Sequence, residues 1–328
     1  MTHDDIKELF YAYNKRGSKA LKLSEFFEDS LDRQIKRGDI SEETIAPIGM
    51  GIVQQLRDYS SKHRVHKVVI GMSGGIDSAL TASLFKSAGY TVTGVTMPIH
   101  QDDAETERGI AACEALGIEH VHFDLTKLFN YTVKYYKDAD IDFNKELVDH
   151  NMQEQTVRKG NIRARLRMSA LYNLASKQGG IVGSTDNYSE LAAGFWTLHG
   201  DVGDVAPIQC LTKSWEVPML ATLQGVPEDI ILATPTDGLG IDIGDEAQLG
   251  FSYAELDLTL INTLHGDHGT DPTMADQELV DSIIHRIGQT AYKRNNPVNF
   301  DHPISANWRY QQLAGLDMNL ITPNLGED

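Results

Sequence analysis

Residues Ser73-Gly74-Gly75-Ile76-Asp77-Ser78 pack an anion site and a carboxylate into one short stretch. The glycines let an anion approach the backbone. A helix opening at Asp77 would aim its free N–H groups and the positive end of its dipole at that anion. Asp77 is the odd member. A carboxylate beside a phosphate is repulsive unless a cation lies between them, and Mg2+, which prefers oxygen ligands, suits the gap. The segment lacks the Gly-Lys-Ser/Thr ending of the Walker loop and the G-x-G-x-x-G spacing of dinucleotide folds. The plain alternative is an ordinary strand-to-helix turn with Asp in the first turn.

Other stretches carry weaker signals. Arg158-Lys159-Gly160-Asn161-Ile162-Arg163-Ala164-Arg165-Leu166-Arg167 is the densest basic segment. On a helix Arg163 and Arg167 share a face and Arg165 points nearly opposite, so all three cannot serve one ligand. A solvated charged face is the competing reading. Gly183-Ser184-Thr185-Asp186-Asn187-Tyr188-Ser189-Glu190 is a second strand-turn-helix. Thr185 could donate to a phosphate or a ribose, and Glu190 is a candidate second Mg2+ ligand. Taken alone, Thr185 reads as a helix cap and Glu190 as a surface residue. Gly200-Asp201-Val202-Gly203-Asp204 sets acids in a turn. Lys213 opens a helix, where a cation is unfavourable unless an anion sits nearby, whereas Lys293-Arg294 ends one, where cations are favoured. His120 with His122, and His265 with His268, give no metal-ligand pattern. Cys113 falls in an apolar helical pattern, and Cys210 has no His partner to make it a nucleophile.

These residues need elements to hold them. Val68-Val69-Ile70 reads as a buried strand of a parallel sheet. Strands are predicted near Lys67–Met72, Thr91–Met97, His120–Leu125 and Gly180–Ser184. Helices are predicted near Asp77–Ala88, Ala104–Leu116, Thr156–Lys177, Lys213–Gln224 and Asp276–Tyr292. Such alternation predicts a doubly wound parallel α/β sheet with ligands at the carboxyl ends of its strands, where Ser73 and Met97 fall. Residues 1–64 read as a helical flank, with Leu21, Phe26, Phe27 and Leu31 able to line one face and Ser41 as an N-cap. Residues 138–160 read as a mobile loop or a loosely packed helix.

The chain has 328 residues, 41% of them apolar, which is ordinary for a globular protein. With 29 basic and 47 acidic residues the net charge is −18, which argues against a nucleic-acid partner. No apolar run is long enough for a transmembrane helix, and Met1-Thr2-His3-Asp4-Asp5 does not read as a signal peptide. With two cysteines the expectation is a cytoplasmic protein without a disulfide framework.

In combination these stretches resemble ammonia-dependent NAD synthetase, a branch of the ATP pyrophosphatase (PP-loop) family. The resemblance runs from about Lys67 to Asp301. It is carried by Ser73–Ser78, Lys159-Gly160-Asn161 with Ala164-Arg165, Gly183-x-Thr185-Asp186 with Glu190, and Gly194-Phe195. It continues through Gly200-Asp201, Pro207, Leu211-Thr212-Lys213, Pro235-Thr236, Asp245-Glu246, Leu249-Gly250, Tyr253, Lys293-Arg294 and Pro297. It implies an adenine nucleotide alpha hydrolase-like fold over 65–301, between the N-terminal flank 1–64 and a C-terminal tail 302–328. By motif, Gly71, Met72, Ser73, Gly74, Gly75, Ile76, Asp77 and Ser78 would bind ATP with Met97, Thr185, Lys213 and Thr236. Asp77 and Glu190 would hold Mg2+, Asp77 and Lys213 would be catalytic, and Arg165, Asp204 and Lys293 would contact deamido-NAD. Leu198 stands where the family usually has Lys, and the Gly200–Pro207 loop is one residue shorter than in the commonest bacterial form.

The resemblance implies a ligase that uses ATP to adenylate the nicotinate carboxylate of deamido-NAD, lets ammonia displace AMP, and works as a homodimer. A built-in glutaminase would need roughly one or two further domain lengths, so free ammonia is the expected nitrogen source. Two rivals remain: another PP-loop adenylating amidase, and a nucleotide-binding sensor that has lost turnover.

Overall fold

The computed structural model describes residues 2–15, 20–139, 152–233, 245–266 and 269–294. The chain begins with helices α1 (His3–Tyr13), α2 (Glu25–Arg37) and α3 (Glu42–His63). Thr2 and Asp5 close a capping box on α1, and Ser41 caps α3 by accepting from the Thr44 amide at 3.2 Å. On α2, Phe27, Leu31 and Ile35 are buried at helical spacing, while Leu21 and Phe26 pack partly buried beside them.

The sheet follows. Strand β1 (Lys67–Gly71) leads to α4 (Ile76–Ser87), β2 (Thr91–Thr96), α5 (Asp103–Leu116), β3 (Glu119–His122) and α6 (Thr126–Asp138). Helix α7 (Met152–Gln178) then leads to β4 (Ile181–Val182) and α8 (Tyr188–Ala193). The four strands lie in the order β3-β2-β1-β4 and all pairs are parallel, with Val69 opposite Thr93 and Val182. The predicted doubly wound α/β arrangement is thus present. Strands β3 and β4 are shorter than expected, and α6 lies where no element was predicted.

Successive β1 side chains serve opposite sides of the sheet, as the strand period requires. Val68 and Ile70 join a core with α4, α5 and the N-terminal helices. Val69 joins a second core with Met97, Phe129, Met168 and Leu171 from the α6–α7 side. Helix α4 is buried at every position from Ser78 to Phe85. It lies between the sheet and helices α3, α5 and α9 (Glu216–Leu223), so its small and apolar residues face protein all round. The predicted flank 1–64 therefore shares one core with the sheet.

The remaining described elements are α10 (Glu228–Ile231), α11 (Asp245–Leu249), α12 (Tyr253–His265), α13 (Met274–Gln289) and α14 (Ala291–Arg294). Helix α12 packs against α2, α8 and α13. Helix α9 starts at Glu216, so Lys213 lies in the turn before it rather than in its first turn. No helix among the described residues is long and apolar enough to cross a membrane.

Candidate active site

The site is built at the carboxyl end of β1. Met72 leaves the strand, Gly74 turns at φ 84°, and Gly75 caps α4 in extended conformation. Only glycine suits position 74, where a Cβ would also lie 2.3 Å from the Glu105 carbonyl oxygen of α5. The turn is stitched by its serines. Ser78 Oγ donates to the Gly75 carbonyl at 2.9 Å, and the Gly75 amide donates to Ser73 Oγ at 3.3 Å. Ile76 contributes backbone here, because its side chain packs against the core.

A cleft of about 720 Å³ opens over this turn. Gly71, Met72, Ser73, Asp77 and Ser78 form one wall, and Met97 continues it from β2. Thr185 and Glu190 come from the β4–α8 connection, Arg165 and Arg167 from α7, and Lys293 from α14. The expected position, beyond the strand ends, is thus where the structure places the space.

Under its floor, Lys213, which does not itself line the cleft, meets two carboxylates that do. Its Nζ pairs closely with Asp77 Oδ2 and lies 3.7 Å from Glu190 Oε1. Asn187 Nδ2 donates to the other Asp77 oxygen at 3.3 Å. Lys213 is 9% exposed. Burial opposes its charge, but Asp77, Glu190 and Asp245 outweigh burial and hold the ammonium above its ordinary range. Burial lifts the Glu190 carboxyl well above the usual carboxylate range. Lys213 counters that shift, while Asp77, Asp186 and Asp245 add to it. Asp186 is pushed up to about 7, first by burial and then by Asp201, although Ser184 Oγ donates to it at 2.8 Å.

Glu190 does double duty. Asn187, not Thr185, caps α8, and the Asn187 amide donates to Glu190 Oε2 at 3.2 Å. Glu190 is therefore no surface residue: one oxygen closes the helix and the other faces Lys213. The pattern Asn187-x-x-Glu190 is a capping-box signature, and it could have revealed Asn187 in the sequence.

Acids outnumber bases at this floor, and all the ligating atoms on offer are oxygens. That donor set fits a hard divalent cation. Among the described residues no group of three or more His, Cys, Asp or Glu could hold a metal alone. One or two carboxylates completed by substrate phosphates is how Mg2+ is usually held, so the residues fit it.

The basic segment divides. Arg163 lies over the Phe129 ring at 4.6 Å, whereas Arg165 and Arg167 both line the cleft. Helix spacing paired Arg163 with Arg167, but long side chains reach round the helix, so position 167 is a cleft residue that spacing alone did not separate. Arg165 Nε donates to the Leu198 carbonyl at 3.2 Å, and Arg167 Nε to the Met97 carbonyl at 3.1 Å. Lys293 Nζ donates to the carbonyls of Gly194 and Trp196 at 2.7 and 2.5 Å. Burial and Arg286 lower its pKa. Asp204 does not line the cleft; it accepts from Tyr172 Oη at 2.9 Å and from the Val182 amide at 2.8 Å. Thr236 lies outside the described residues. Cys113 is buried as expected, and Cys210 is exposed.

One further acid was not legible in the sequence. Asp257 of α12 is fully buried and accepts from Ser189 Oγ at 2.5 Å, Ser214 Oγ at 2.7 Å and the Ser214 amide at 3.0 Å. Burial raises its pKa to about 7 against those donors. It joins α8, α12 and the turn that carries Lys213.

The sequence profile of the NAD synthase family matches residues 49–297. The NH(3)-dependent NAD(+) synthetase of Alkaliphilus oremlandii is 36% identical over 237 residues, which span 68% of this chain and 93% of that protein. Among solved structures, the NMN synthetase of Francisella tularensis superposes with a TM-score of 0.66 at 28% identity, covering 79% of this chain and 99% of that one. The NH3-dependent NAD synthetase of Campylobacter jejuni, solved with a nitrate ion, gives 0.61 at 26% identity, covering 78% and 99%. A site built on the Ser73–Ser78 turn, a profile match over most of the chain and relatives matched over nearly their whole length agree: this chain belongs to the NAD synthase family.

Proposed function

We propose that this chain is a carbon–nitrogen ligase that converts deamido-NAD to NAD with ATP and ammonia, releasing AMP and pyrophosphate. The observation that carries the reading is the convergence of Asp77, Glu190 and Lys213 at the Gly71–Ser78 turn, in a chain of this family.

A carboxylate resists amidation because its leaving oxygen is too basic. Joining that oxygen to the α-phosphorus of ATP expels pyrophosphate and makes AMP the later leaving group. Ammonia then attacks the carbonyl carbon, loses a proton, and AMP departs. The amides of the Gly71–Ser78 turn bind the triphosphate, with Met97 and Thr185 from neighbouring connections, and the motif adds Thr236 to this set. Lys213 donates to the oxygens on which charge builds as pyrophosphate leaves. Asp77 and Glu190 would hold Mg2+, which supplies further charge neutralisation on the phosphates. Arg165 and Lys293, which also line the cleft, hold the dinucleotide.

Asp204 serves this reading at a subunit boundary. It sits beside the exposed Tyr172 of α7, and the neighbouring α6 exposes Leu128, Tyr131 and Tyr135. We place the interface of a homodimer on this face, and the protein in the cytoplasm.

The test is to incubate the protein with ATP, Mg2+, deamido-NAD and ammonium. AMP and pyrophosphate that form only with deamido-NAD present support the synthetase. Tight ATP binding without turnover would move the reading to a nucleotide sensor, and turnover with another carboxylate to a different adenylating amidase.

A further inference from the structure

Helix α1 lies outside the residues matched to the family, which begin at 49, yet it reaches the turn that carries Lys213. Asn14, at the end of α1, is 3% exposed. Its Nδ2 donates to the Phe10 carbonyl at 2.8 Å and to the Ser214 carbonyl at 2.9 Å. Phe10 packs its ring against Trp215, with centroids 6.4 Å apart. Both Ser214 and Trp215 are buried.

The other polar groups of this turn have partners from other elements. The Lys213 amide donates to Ser189 Oγ of α8 at 2.8 Å, and the Ser214 amide to Asp257 of α12 at 3.0 Å. Thr212 donates through its amide and its hydroxyl to Glu216 Oε2, at 2.6 and 2.9 Å. The peptide before Lys213 is thus held by α8, the peptide after it by α12, and the next one by α1. A lysine's long stem adds little restraint of its own, so the resting place of its head group is set by its carboxylate partners together with its backbone anchors. A buried carbonyl that lost its donor would favour turning toward another partner and would carry the turn with it.

We propose that Asn14 is a positioning residue for the reaction: through the Ser214 carbonyl it fixes the backbone of Lys213, which makes the N-terminal flank a working part of the active site. The proposal rests on the synthetase reading for its kinetic arm, and on amide exchange for an arm independent of that reading.

The experiment compares Asn14→Leu, which keeps the branched outline and removes the donor, with Ser30→Ala. Ser30 ties α2 to α12 through Asn262 Oδ1 at 2.8 Å and makes no hydrogen bond to the Lys213 turn. The readouts are kcat, KM for ATP, melting temperature, and hydrogen exchange of the Lys213 and Ser214 amides. Asn14→Leu is expected to lower kcat about tenfold while leaving KM within about twofold, because the lysine is displaced rather than lost. Its Lys213 and Ser214 amides should exchange faster. Ser30→Ala should lower the melting temperature with kcat and those amides unchanged. Phe10→Leu, a gentler change, should shift kcat and exchange in the same direction and decides the matter if Asn14→Leu does not fold. An Asn14→Leu protein with wild-type kcat overturns the proposal, as does one whose kinetic loss is matched by Ser30→Ala. If the wild-type protein shows no amidation at all, the synthetase reading falls. Exchange at Lys213 and Ser214 then decides alone whether Asn14 holds the turn, and unchanged exchange overturns that too.

Discussion

Lys213 is a buried cation whose charge is matched by Asp77 and shared with Glu190. Removing one partner of such a cluster strands the others. Lys213→Met should therefore cost about 3 kcal/mol of stability in urea denaturation, as well as turnover, because it leaves Asp77 and Glu190 facing each other in a buried site. Asp77→Asn keeps the side-chain outline and leaves Glu190, 3.7 Å from the ammonium, as the remaining partner, so it should fold with some loss of stability while lowering kcat at least about a hundredfold in the AMP-release assay. An unchanged rate would remove Asp77 from the mechanism. Asp186 gives a pH signature. Its folded pKa of about 7 lies above its unfolded value, so the folded protein binds the proton more tightly and loses stability as pH rises from about 4 to about 7. Asp186→Asn removes that loss. Its stability relative to wild type should be flat below about pH 4, grow by about 1–3 kcal/mol toward pH 7 and level off above, when unfolding is followed without nucleotide or metal. At this scale the sequence showed residues whose type is unusual for their place, such as Asp77 in a phosphate turn and Lys213 at the expected start of a helix. It did not show Asp257 or Arg167. An acid on an apolar helix, or one more arginine in a basic run, becomes informative only when its neighbours are known.

Elements meet closely where α5 crosses the phosphate turn. A Cβ at Gly109 would come within 2.7 Å of the Met72 carbonyl oxygen, and one at Gly74 within 2.3 Å of the Glu105 carbonyl oxygen. Gly74→Ala should cost about 1–3 kcal/mol from backbone strain alone and raise KM for ATP, since relief of the clash pushes the turn away from α5. A variant with wild-type melting temperature and KM would show that the turn has room to spare. The strand–helix alternation was readable because β1, α4, β2 and α5 have strong, short patterns with clear breaks. Helix α6 was not. Phe129 and Val133 face the core one turn apart, but Leu128, Tyr131 and Tyr135 are exposed, so apolar residues outside the inward face blur its period in the sequence. The start of α9 was misplaced for a related reason. Thr212 to Trp215 form a tight turn held by side chains from distant elements, and such partners leave no local periodicity.

The whole molecule carries −18 charges around a cleft for polyanions. Long-range repulsion must slow the approach of nucleotide, and salt screens it. Raising ionic strength from about 0.02 M to about 0.15 M should increase kcat/KM for deamido-NAD severalfold before specific ion effects intervene. A fall over that range would mean that local attraction by Arg165, Arg167 and Lys293 outweighs the global field. The proposed interface makes a second prediction. The protein should sediment at twice its 36.3 kDa chain mass, and Tyr131→Glu with Tyr135→Glu should halve that mass while leaving the melting profile of each subunit cooperative. Composition made the charge legible at once, but it could not show that the N-terminal flank shares a core with the sheet, because that depends on contacts across the whole chain.

The Lys213–Asp77 contact bears on how firmly products are held. The ammonium has already shed its water during folding, so meeting a phosphate exchanges one anionic neighbour for another and strips no further hydration shell. Such a swap yields a small net attraction, and it reverses as readily as it forms. Spent nucleotide and pyrophosphate should therefore depart without a slow final step, and the carboxylate stands ready to take the lysine back between turnovers.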